Sequence, residues 1–296
     1  PPQAASALWD SPQPQPDSRH GPWDREGRHR VADLGSETGG SDPQFGQGTD
    51  TYESARQMSP RAFLGGHGID GARAGWVVAS AGSGGPALAL VPRLSAVADA
   101  LIDAGALVDI PIGLPGGRHL TRGCDSSARR RLGPRSSSVF PTLSRAALGA
   151  ESWAEANELN RQAVGKGLPR QSWGLVTKIR EVDELLAARP EVRGRLRESH
   201  PELAFTWLSG GDPMERPKRD REGLNDRLDL LEQIWPNIGS AAQTFAGNHS
   251  GVGLDDVADA LALLALAQTG ATPLPEGPPT DEVGRPMEIL VHASLS

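Results

Sequence analysis

The stretch HGIDGARAGWVVASA, His67 to Ala81, sets two runs of strand-forming residues either side of a short Gly-rich turn. That pattern commits the chain to an antiparallel hairpin, and Ala87 to Pro92 supplies a third strand to extend it into a meander. Leu94 to Ala104 follows with apolar residues at helical spacing, and Ala106 to Ile112 then reads as a buried strand. A helix between two strands delivers the second parallel to the first. The order β-β-β-α-β therefore predicts a mixed sheet with helices on its faces, an α/β architecture.

One residue does not fit that apolar strand. In VDIPIGLP, Val108 to Pro115, Asp109 interrupts the run just before a proline. A lone buried carboxylate costs several kcal/mol unless it is paired, bound to a cation or placed at the mouth of a site. Asp70 ends the first strand in GID in the same way. If the two strands are parallel neighbours, both carboxylates emerge at one end of the sheet, where open α/β sheets carry their sites. Glu202 in SHPEL is a third candidate, with Glu198 a weaker competitor. Asp256 and Asp259 in GLDDVADALALLALA share one face of a helix at i, i+3, with Asp255 beside them. Structural readings stay open for each residue taken singly. Asp70 can serve the turn before Gly71, and Asp255 and Asp256 can match a helix dipole.

Grouped carboxylates repel one another and need cations. Oxygen donors without His or Cys favour Mg2+ or Mn2+. Two such ions can hold an attacking water and a leaving oxygen in line, which is the chemistry of phosphodiester hydrolysis. The segment after Asp109 supplies basic partners: Arg118, Arg122, Arg129, Arg130, Arg131 and Arg135, then Lys166, Arg170, Lys178 and Arg180, and later Lys218, Arg219, Arg221 and Arg227. Of these, Arg122, Arg129, Arg135, Lys166 and Lys178 are the expected contacts to a phosphate backbone.

Composition narrows the alternatives. A net charge of -7 gives no global attraction to nucleic acid, so binding has to come from a local basic patch. A single cysteine, Cys124, rules out a disulfide framework and a Cys-rich zinc site, and points to a reducing cytoplasm. The apolar stretch Leu254 to Ala267 is too short to span a membrane, and the N-terminus lacks the apolar core of a secretory signal. Residues 1–61 are rich in Pro, Gln, Gly and Ser and are expected to be a disordered tail, with Trp9 and Trp23 the only hint of a docking motif. Residues 62–296 are expected to form one domain with a helical insertion at about 118–192, including helices over Glu151 to Val164 and Gln171 to Ala188. Arg195 to Ser199 reads as a fifth strand. Helices are expected to open at His200-Pro201 and to span Asn225 to Ile234 and Leu254 to Gln268, before a terminal strand over Met287 to Ala293.

The predicted start is that of a ribonuclease-H-like (RNase H-like) fold. The motifs resemble the family called domain of unknown function 429, regarded as RNase H-like nucleases. They are GIDGARAGW (68–76), VDIPIGLP (108–115), RGCDSSARRRLGPRSSSVFP (122–141), GKGLPRQSWGLVTKIREVD (165–183), ESHPELAF (198–205), KRDREGLNDRLDLL (218–231), DDVADALALL (255–264) and DEVGRPMEI (281–289). The resemblance runs from about Gly65 to Val291 and implies a core like that of Holliday-junction resolvases. There, a first-strand Asp, a fourth-strand acid and an acid pair on the last core helix bind divalent metals. Asp70, Asp109, Asp256 and Asp259 match those places, while Glu202 and Lys166 belong to the family's own motifs. The expectation is a metal-dependent nuclease acting on RNA or DNA. The alternatives are a non-catalytic nucleic-acid- or protein-binding module on the same fold, or a phosphotransferase of the actin and sugar-kinase class.

Overall fold

The computed structural model describes residues 62–295. The tail expected over residues 1–61, with Trp9 and Trp23, lies outside them apart from its boundary. The meander forms as predicted: β1 (His67–Ala72), β2 (Gly75–Ser80) and β3 (Ala87–Val91) pair antiparallel in sequence. The expected helix splits into a 3-10 turn (Leu94–Val97) and α1 (Ala98–Ala104), which returns the chain to β4 (Ala106–Val108). β4 runs parallel to β1, and β5 (Leu196–Glu198) runs parallel to β4. The order in space is β3-β2-β1-β4-β5, which puts the first strand in the middle.

β4 is shorter than the expected 106–112. The N-H of Asp109 still donates to the carbonyl of Ile69 at 3.1 Å, but Pro111 has no N-H to offer. The N-H of Ile112 turns instead to the Glu198 carboxylate at 2.8 Å. The chain therefore leaves the sheet at Asp109, and that residue sits at the mouth rather than within the strand.

Alternation divides the apolar residues between two cores. Ile69, Trp76, Val78, Val108 and Leu196 face α1 and α5 (Val176–Ala188). Ala72, Val77, Ala79 and Leu107 face the other way, against α9 (Leu254–Thr269) and its neighbours α6 (Pro201–Leu208), α7 (Arg221–Glu232) and α8 (Ile238–Asn248). By the same parity Asp70 and Asp109 belong to the α9 side. Gly68 lets α9 lie directly on β1, since a Cβ there would sit 2.1 Å from the Ala260 carbonyl oxygen and 2.2 Å from the Leu264 nitrogen.

Between β4 and β5 the chain makes α2 (Gly123–Leu132), α3 (Trp153–Val164), α4 (Arg170–Gly174) and α5. The single helix expected over 171–188 is thus two, broken at Leu175 after Gly174, whose lack of a side chain weakens helix continuity. The terminal strand forms as β7 (Ile289–His292). It does not lie within the five-stranded sheet but pairs antiparallel with β6 (Ala271–Leu274), and a lone bridge between Ser199 and Leu290 links this ribbon to the end of β5. No helix of the described residues is long and apolar enough to cross a membrane.

Candidate metal centre

Strand parity and the packing of α9 bring three carboxylates together where β4 ends; Asp109 follows its last residue, whereas Asp70 lies within β1, which runs on to Ala72 against β2 rather than ending at Asp70 as expected. Asp70, Asp109 and Asp259 each offer one oxygen, and these oxygens lie within 4.8 Å of one another. Asp70 and Asp259 are buried and Asp109 is half-buried, at the edge of a cleft of about 320 Å³. Burial pushes the Asp70 carboxyl well above the ordinary carboxylate range, and the neighbouring Asp259 and Asp109 charges push it further. Burial likewise raises Asp109. Asp259 is pushed up to about 6, again chiefly by burial, with the ammonium of Lys218 opposing the rise. Three acids whose charged forms are all disfavoured make a site that gains from any cation it can take.

Asp256 lines the same cleft without contributing to the three-oxygen cluster. Its carboxylate accepts the N-H of Gly253 at 2.8 Å and caps the start of α9. In this structure Asp256 serves as a cap beside the cluster. Glu202 is also occupied. Both its oxygens accept from Nη2 of Arg227, at 2.7 and 2.8 Å, and both side chains are buried. Nη1 of Arg227 donates to the carbonyls of Arg216 and Gly223, at 3.0 and 2.6 Å. Glu202 is therefore the counter-charge of a guanidinium that ties down the loop entering α7, not a free acid.

That loop carries Lys218. Its ammonium donates to Asp259 and lies 3.9 Å from Asp255. Burial alone would lower the Lys218 pKa, but Asp259 and Asp70 outweigh it and hold the group above an ordinary lysine. In the sequence Lys218 and Arg227 stand among the basic partners without a role of their own. The available signal was their place in KRDREGLNDRLDLL, a motif of mixed charge, but nothing local to it names Asp259 or Glu202 as partner.

The expected phosphate contacts divide. Arg122 is buried and pairs with Glu198, with Asp125 3.5 Å away, so it cannot grip a backbone in solvent. Glu198, on β5, is pushed up to about 8 by burial, with Arg122 opposing, so removing this arginine would leave a buried acid without its counter-charge. Arg129 spends Nε and Nη2 on the Val139 carbonyl, at 3.1 and 2.9 Å. Arg135 does line the acidic cleft, its Nε 4.0 Å from Glu202 and without a hydrogen-bond partner. Lys178 lines it too. Its Nζ donates to the Gly75 carbonyl at 2.6 Å and lies 4.2 Å from the Trp76 ring centre. Lys166 is exposed in an adjoining cleft of about 570 Å³, which shares Arg122, Asp125, Val139 and Phe140 as walls with the first. His200 stands on the acidic cleft as well, its Nδ1 accepting the N-H of Glu202 at 3.2 Å.

The donor set suits a hard divalent cation: carboxylate oxygens only, close-set, with their charged forms under strain. Fold and cleft together define a mixed α/β protein with a carboxylate cluster beside its central strands. The chain belongs to the family described as "Protein of unknown function (DUF429)", which matches residues 68–280. Comparison with curated proteins found no match, and comparison with solved structures found none either.

Proposed function

We propose that the protein is a divalent-metal-dependent nuclease, hydrolysing phosphodiester bonds of RNA or DNA on an RNase H-like core. The observation that carries this reading is the convergence of Asp70, Asp109 and Asp259 within 4.8 Å, beside β1 and at the carboxyl end of β4. The strand order, a meander followed by two strands parallel to β1, supports the fold part of the reading. Mg2+ or Mn2+ bound by the three aspartates would act as a Lewis acid, neutralising charge on the phosphoryl oxygens and activating water. The chain's own groups bind and orient. Arg135 and Lys178, on the walls of the cleft, attract the phosphates either side of the reacting one. The buried Arg122–Glu198 pair and the Arg227–Glu202 pair keep the surrounding loops in place.

The test is a panel of labelled single- and double-stranded RNA and DNA, hybrid and branched junctions, incubated with Mg2+ or Mn2+. Cleavage by the wild type that Asp70→Asn and Asp109→Asn abolish supports the reading. Equal trace activity in wild type and Asp70→Asn ends it.

One observation favours a second reading, a nucleic-acid-binding module without catalysis. Lys218 already neutralises part of the acid cluster from within. On this reading, gel shifts persist in EDTA and are unaffected by Asp109→Asn.

A further inference from the structure

The acid cluster contains a cation of its own. Lys218 reaches it from the loop between α6 and α7, and its ammonium rests on the same Asp259 that belongs to the three-oxygen cluster. The position is built. Gly223 allows the loop to press on the start of α7, since a Cβ there would meet the Pro217 carbonyl oxygen at 2.3 Å. Arg227 anchors the loop two residues before Lys218 through the Arg216 carbonyl and is itself locked by Glu202. A chain of buried polar contacts thus runs from Glu202 through Arg227 to the loop, and the loop delivers Lys218 to Asp259.

We infer that Lys218 is a resident cation that competes with a divalent ion for Asp259, so that the centre takes one tightly held ion rather than two. The ammonium already offsets part of the negative charge of three close-set carboxylates, which leaves less to draw in divalent ions. A divalent ion that engages Asp259 has to displace the ammonium, and the ammonium is tethered by a short loop rather than free to diffuse away. Lys218 is also partly exposed, with 35% of its side chain accessible, so there is solvent for it to swing into. The inference rests on the proposal that the aspartates bind metal, and it assigns to Lys218 the control of how tightly and how many.

The test is Mn2+ binding to the full chain without substrate, followed by calorimetry and by loss of the free-ion electron paramagnetic resonance signal. Wild type, Lys218→Met, Lys218→Gln and Lys218→Arg are compared. The expected result is one ion per wild-type chain. In Lys218→Met and Lys218→Gln, Mn2+ binds about tenfold more tightly or a second ion appears, while Lys218→Arg stays close to wild type. Two ions on the wild type, or neutral variants that bind no more tightly than wild type, overturn the inference and leave the metal reading intact. Absence of Mn2+ binding in every protein, each shown folded by its thermal melt, overturns both.

Discussion

At the scale of the residue, the acids of the centre act against the stability of the metal-free fold. A carboxyl whose folded pKa is raised holds its proton more firmly when folded. Its contribution is therefore fully present at low pH and is lost as pH climbs. For Asp259 the window opens near the ordinary value of 3.8 and closes above about 6. Asp70, whose carboxyl is raised in the same direction by burial and by Asp259 and Asp109, adds to that loss. Asp70→Asn should accordingly melt above wild type at pH 7 by about 2–4 °C, a gain of about 1 kcal/mol, with the gap narrowing toward pH 4. Calorimetric scans across that range check it, and a variant that melts lower at pH 7 contradicts the assigned repulsion. Glu202 contributes through its buried pairing with Arg227. Glu202→Ala leaves the buried Arg227 guanidinium without its carboxylate and should cost about 3–5 kcal/mol in denaturant unfolding, most of it recovered when Arg227→Met is added.

At the scale of the element, the contact between α9 and β1 decides whether the centre exists. Gly68→Ala drives a methyl into the backbone of α9, which has no flexible side chain there to yield. The expected loss is about 3 kcal/mol or more, read as a lowered urea midpoint. The same elements show what the sequence could reveal. The meander and α9 were legible because each is a run of local apolar residues set off by turns or a helix start, and Asp70, Asp109 and Asp259 were legible because each interrupts or follows such a run. α8 was not, since IGSAAQTFAGN intersperses Gly, Ser, Gln, Thr and Asn among small apolar residues and has no side-chain cap. Nor was β6, four residues with a proline, which is a strand only because β7 comes to pair with it. Basic residues were the least legible. A run of arginines reads alike whether it faces solvent or, like Arg122, a buried acid that arrives 76 residues later.

At the scale of the whole molecule, a ligand that binds only the assembled centre stabilises the entire domain by mass action. Mn2+ at 100 times its dissociation constant should add about 2.7 kcal/mol and raise the melting temperature of wild type, while Asp259→Asn shows much less of that rise. Binding of nucleic acid has to overcome a net charge of -7, so it should be confined to the Arg135 and Lys178 side of the molecule and weaken steeply with added salt. The three aspartates also arrive at different times. Asp70 and Asp109 leave the ribosome early, whereas Lys218 and then Asp259 follow only after the helical insertion and α6 have been made. A nascent chain holds two of the acids and neither the helix nor the lysine that completes the cluster. The three-acid cluster is therefore incomplete until α9 has been synthesised and docked.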